Sequence, residues 1–108
     1  MASYSLLADA LPEFARELEA LLTGQGESEL ASQIGGLRIV GRCWCGDDFC
    51  ATFYTQPKHK RSCGTDRKCV AVAPQNGMIV LDVVDGKILD VEVLFRDEIR
   101  EQLDAILP

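Results

Sequence analysis

Apolar positions change period along this chain. Leu7, Leu11, Phe14, Leu18, Leu21 and Leu22 recur at intervals of three and four, with Glu13, Arg16, Glu17 and Glu19 lying between them. That spacing lays one apolar stripe along a single helix. Ser5 or Asp9 is the candidate cap, and Pro12 fits within the first turn. Thr23-Gly24-Gln25-Gly26 ends the helix, because glycine accepts the left-handed conformation of a C-terminal cap. A short helical turn over residues 28–34 follows, stopped by Gly35-Gly36.

The period then falls to two. Residues 37–45 and 49–55 alternate around Gly46-Asp47-Asp48, the pattern of a β-hairpin with a tight tip. Residues 69–73 make a third, small-residue strand, and Pro74-Gln75-Asn76-Gly77 a turn. Residues 78–84 and 87–95 flank Asp85-Gly86, the dipeptide of a two-residue type I′ turn. A regular register from that turn sets Val84 against Lys87, Val83 against Ile88 and Val80 against Val91. One face then carries Met78, Val80, Val84, Leu89, Val91, Val93 and Phe95. The other carries Ile79, Leu81, Val83, Ile88 and Leu94, with Asp90 and Glu92 among them. A sheet wetted on one side should alternate cleanly, so both faces are expected to need cover. A closing helix starts at about Asp97, its N-cap, with Ile99, Leu103, Ile106 and Leu107 as its stripe.

The order of elements predicts an α+β fold: an N-terminal helix, an antiparallel meander sheet of about five strands, and a C-terminal helix. At 108 residues this is a single domain, residues 1–108. Hydrophobic residues make up 47 % and charged residues 26 %, a globular composition. The net charge of -6 argues against nucleic-acid and anionic-membrane partners. It is unevenly placed. Lys58, Lys60, Arg61, Arg67 and Lys68 stand against Asp66 alone in a loop over residues 56–68. An acidic body with one basic loop favours steering towards a complementary protein surface, and these five cations are the candidate partner-binding residues. No run approaches the ~18 apolar residues of a membrane span. Leu6-Leu7-Ala8 is too short for a secretory signal, so the expected compartment is the cytoplasm, where thiols stay reduced.

The most specific chemistry lies in the first hairpin. With Cys45 and Cys50 opposed, alternation puts Cys43 on their face, while Trp44, Phe49, Ala51 and Phe53 point the other way. Cys43, Cys45 and Cys50 are candidate zinc ligands, with Cys63, Cys69 or His59 as the fourth. Against this, two cysteines at i and i+2 on a flat strand stand ~6.6 Å apart at the backbone, wider than tetrahedral zinc takes without a bulge. Free cysteine is also among the most buried residue types, so packing competes as the explanation. Cys63 is the candidate redox thiol among basic neighbours, but no Cys-x-x-Cys opens a helix. Asp90 and Glu92 read as solubilising an exposed sheet face, and no phosphate loop precedes a helix. The expectation is a non-catalytic, protein-binding or regulatory module, with itself in a homodimer among its candidate partners. The alternative is a small zinc or thiol-redox domain.

Overall fold

Two helices stand where the apolar stripe predicts one. In the computed structural model, which describes residues 4–43, 49–56 and 67–106, α1 is Leu7–Ala10 and α2 is Pro12–Gly24. Leu11 between them leaves the helical region, with φ -132° and ψ 65°. A residue ahead of proline is crowded out of the α conformation, so Pro12 opens a second helix instead of sitting inside the first. The stripe survives the break, with Leu7, Leu11, Phe14, Leu18 and Leu22 all buried. Neither predicted cap is used, since Leu6 holds the position before α1. The turn after α2 resolves into α3, Ser28–Ala31, and a 3₁₀ turn, Ile34–Gly36.

Among the described residues the sheet has five antiparallel strands, and the chain is the predicted α+β fold. Their ranges are β1 Gly41–Arg42, β2 Phe53–Tyr54, β3 Arg67–Val72, β4 Met78–Val84 and β5 Lys87–Leu94. The order is meander-like, β1-β2-β5-β4-β3. β3 begins two residues earlier than predicted and takes in Arg67 and Lys68. The closing helix, α4, runs Asp97–Ile106, and Arg96, not Asp97, supplies its first carbonyl, to Ile99 and Arg100.

Asp85 and Gly86 both take positive φ, 52° and 80°, as a type I′ turn requires. The first pairs, Val84↔Lys87 and Val83↔Ile88, match expectation. The register then slips by one: Asp82 pairs with Asp90, Leu81 with Val91, Val80 with Glu92 and Ile79 with Val93. Leu89 is the extra residue of a β-bulge, and it corrects the predicted faces, because a one-residue slip turns every later side chain over. Ile79, Leu81, Val83, Ile88, Val91 and Val93 share one face, each at most 1 % exposed. Both faces were expected to need cover; the acidic residues Asp82, Asp90 and Glu92 instead gather on the other face, with Val80 and Met78.

Val70, Val72, Ala51 and Phe53 join that face, and α1–α4 pack on it, since their buried side chains belong to the same apolar cluster. Phe14 of α2 meets Phe53 edge-on at 6.1 Å. Arg42 pairs with Asp104 of α4. Arg96 donates to both oxygens of Glu17, at 2.7 and 2.9 Å, and to Glu98 at 2.8 Å, tying α2 to the start of α4.

A bulge strands backbone groups, and two side chains take them up. Buried Thr55 donates its hydroxyl to the Ile88 carbonyl at 2.8 Å and its amide to the Leu89 carbonyl at 3.0 Å. The Gln33 amide accepts from Ile88 N–H at 3.1 Å and donates to the Gly86 carbonyl at 2.6 Å. Thr55→Val keeps volume but abandons the Ile88 carbonyl, so a loss of ~1–3 kcal/mol is expected. It should read as a lower denaturant midpoint at unchanged slope. Thr55→Ser should recover most of the loss, and a Val variant as stable as wild type would show the hydroxyl to be idle.

Candidate functional site

With the bulge in place, the sheet face away from the helices can be read as rows of directly paired residues. The first row runs Cys69, Asp82, Asp90, Tyr54, Gly41 across all five strands. The second, ~7 Å further along, holds Ala71, Val80 and Glu92. Thr52 extends this row by strand alternation, and Cys43 donates its amide to the Thr52 carbonyl at 2.9 Å. The third is Met78, Leu94 and Cys50. Polar groups fill the first row, and apolar ones the third.

The first row places three acidic groups in sequence. Cys69 donates its thiol to Asp82 Oδ1 at 3.0 Å. Asp82 and Asp90 sit directly opposed and share a hydrogen bond. Two ionised carboxylates in this position repel, so one of them keeps a proton. It falls on Asp90, which is 7 % exposed and whose Oδ1 is buried without a hydrogen-bond partner. Burial first, then the Asp82 hydrogen bond and the charges of Asp82 and Glu92, push the Asp90 carboxyl up to about 7, and Arg67 opposes them. Burial and Asp82 also raise Glu92. The hydrogen bond to Asp82 and its charge raise the Cys69 thiol, which disfavours the thiolate a redox or nucleophilic cysteine needs.

The apolar end continues past the third row. Phe95 donates its amide to the Phe49 carbonyl at 2.8 Å, and the two rings stack with centroids 5.2 Å apart. Phe49, Phe95 and Met78 are 41 %, 59 % and 51 % exposed. Phe49 was expected to share the face of Phe53, which is buried, and lies instead exposed at the end of the sheet. Phe95 holds φ 63°, a left-handed conformation costly for an aromatic residue.

Of the candidate zinc ligands, Cys43, Cys50 and Cys69 lie within the described residues. The register Gly41↔Tyr54 and Arg42↔Phe53 is the one expected, and strand alternation puts Cys43 and Cys50 on the face opposite buried Phe53. Cys69 lies on β3, three strand spacings from β2, ~14 Å across the sheet, so it does not join them. Cys45, Cys63 and His59 lie outside the described residues. No group of three or more His, Cys, Asp or Glu among the described residues is arranged to hold a metal ion. Of the five partner-binding cations, Arg67 and Lys68 are exposed on β3; Lys58, Lys60 and Arg61 lie outside the described residues. Pairing Asp90 with Glu92 on one face was within reach of the sequence; joining Asp82, Cys69 and Tyr54 to them required the register.

Asp90 binds its proton in the folded chain up to about pH 7, whereas an unfolded carboxyl releases it near 4. The folded state therefore holds more protons between those limits, and stability should fall as pH rises through the window and level off above it. Asp90→Asn should flatten that slope and, at pH 8, unfold with a gain on the order of 1–3 kcal/mol. An Asn variant with the wild-type slope would place the shared proton elsewhere.

Comparison with family models, curated proteins and solved structures finds no match for this chain, so its sequence and geometry alone carry any assignment of function.

Proposed function

We propose that this chain is a non-catalytic binding module whose partner is a protein, a second copy of itself included. The observation that carries this is the cluster of exposed Phe49, Phe95 and Met78 at one end of a sheet whose described helices all pack on the other face. Large apolar side chains gathered in water mark contact surfaces more often than single ones do. Phe95 adds a second argument, because its ring is kept in water at the expense of backbone strain, a pattern that belongs to sites selected for something other than stability. Arg67 and Lys68 then serve to steer an acidic partner surface.

Asparagine accepts left-handed φ better than phenylalanine. Phe95→Asn should therefore melt no lower than wild type while losing association. Sedimentation at tens of micromolar reads this directly if the partner is a second copy. Capture of a partner from the native cell, with the variant as control, reads it otherwise. A variant that melts lower would show the ring to be packing, and the proposal would fail.

A second reading rests on Cys43 and Cys50 sharing a face, and takes the hairpin as part of a zinc site. Chelator would then lower the melting temperature by several degrees, because a ligand bound only to the folded state adds to its stability. Cys50→Ser would abolish metal content. A melting curve indifferent to chelator leaves these cysteines as packing residues.

A further inference from the structure

The acidic row and the apolar end lie on the same sheet face. We propose that the partner segment places a lysine or arginine side chain over Asp82 and Glu92, beside apolar contacts to Val80, Ala71 and Met78. This rests on the protein-binding proposal and specifies the partner's chemistry.

Charge complementarity is the argument. Asp82, Asp90 and Glu92 occupy two adjacent rows on neighbouring strands, and the cation identified among their interactions is Arg67, on β3. Asp82 is half-buried and Glu92 exposed, so both are open to an incoming cation. Asp90 is not, and its buried Oδ1 has no partner. A long side chain suits this layout better than a metal ion: the carboxylates are spread along the sheet, and no described group converges as metal ligands must. Lysine and arginine also carry apolar stems, which match Val80 and Ala71 between the acidic and apolar rows. An anionic side chain placed over Asp82 and Glu92 is repelled.

Docking then has a proton signature. A cation over Asp82 and Glu92 stabilises every negative charge near it, Asp90 included, so it favours release of the proton that Asp90 holds. Binding should tighten as pH rises from 6 to 8. The other groups facing Asp90 are Cys69 and Arg67 from β3, Asp82 from β4, Glu92 on its own strand and Tyr54 from β2. Cys69 keeps its proton throughout, because Asp82 raises its thiol.

A heptapeptide alternating leucine and lysine is the probe, with a leucine–glutamine peptide as control, titrated into the full chain at physiological salt. The lysine peptide should shift the amides of Val80, Asp82, Asp90 and Glu92, and move the Asp90 carboxyl carbon towards the ionised position. Its affinity should exceed that of the control by roughly threefold to tenfold and be larger at pH 8 than at pH 6. Glu92→Gln with Asp82→Asn should reduce it to the control's level, and Asp90→Asn should remove the pH dependence. Equal affinity for both peptides on this face would overturn the cationic partner and leave the protein-binding proposal standing. Binding of neither, or of the lysine peptide elsewhere, would also overturn it, while the Phe95→Asn comparison tests the broader proposal separately.

Discussion

One inserted residue decides what this protein shows to water. Leu89 stands between Ile88, paired with Val83, and Asp90, paired with Asp82. Were this sequence paired without the bulge, a hairpin running regularly from Asp85-Gly86 would put Asp90 and Glu92 on the face of Ile79, Leu81 and Val83, beneath the helices. Two carboxylates in an apolar core cost several kcal/mol each or force themselves neutral. With the bulge, Val91 and Val93 take those places and the carboxylates turn outward. The β2–β5 pairing continues past the slip without one of its own, Thr55 meeting Leu89 where Tyr54 meets Asp90. The irregularity is thus confined to a single strand pair. Thr55 and Gln33 complete the arrangement from two other parts of the chain, so the bulge is a tertiary feature and not a local accident.

Turning the carboxylates out does not fully relieve them. Asp82 and Asp90 become direct neighbours across the strands, and Asp90 remains buried. The Cys69 thiol and the proton that Asp90 holds up to about pH 7 offset part of this repulsion, so the first row is more stable while it is partly protonated. Arg96 presents the opposite design on the helical side. It is held by both oxygens of Glu17 and by Glu98, with its guanidinium 5.9 Å from the centre of the Phe14 ring. There each charge has an opposite, and Glu98 is held below the usual carboxylate range by Arg96 despite its partial burial. One side of the molecule pairs its charges; the other leaves like charges together.

Much of the fold was legible because short-range rules operate undisturbed: the apolar stripe of Leu7 to Leu22, the Asp85-Gly86 turn, the strand and helix order. What failed was continuity. Proline after Leu11 is a visible warning of a broken helix, since the restriction on the residue before it is local. Leu89 carries no such mark; it is neither glycine nor proline, and a bulge of this kind needs neither. The trace it leaves is in the charges. Requiring Asp82, Asp90 and Glu92 to share a face forces one extra residue between Ile88 and Val91, and the apparent need to cover both faces disappears at the same step. The cysteine face was legible to the extent that alternation reaches Cys43 and Cys50. Cys69 was not separable from them by sequence, because its distance depends on β2 lying beside β5 and not beside β3.

The two ends of the face away from the described helices also differ in what they ask of folding. Above about pH 7 the acidic row would be more stable after Asp90→Asn, and the apolar end would be less strained without an aromatic ring at residue 95. Either change is a single substitution, and proteins acquire such stabilising substitutions easily where nothing opposes them. Both departures from local preference fall on the same side of the sheet or at its end, away from the helical layer where Arg96, Phe14 and Phe53 are well matched. Packing under the helices excludes carboxylates and so leaves such departures to the other face, where they coincide with the exposed Phe49, Phe95 and Met78.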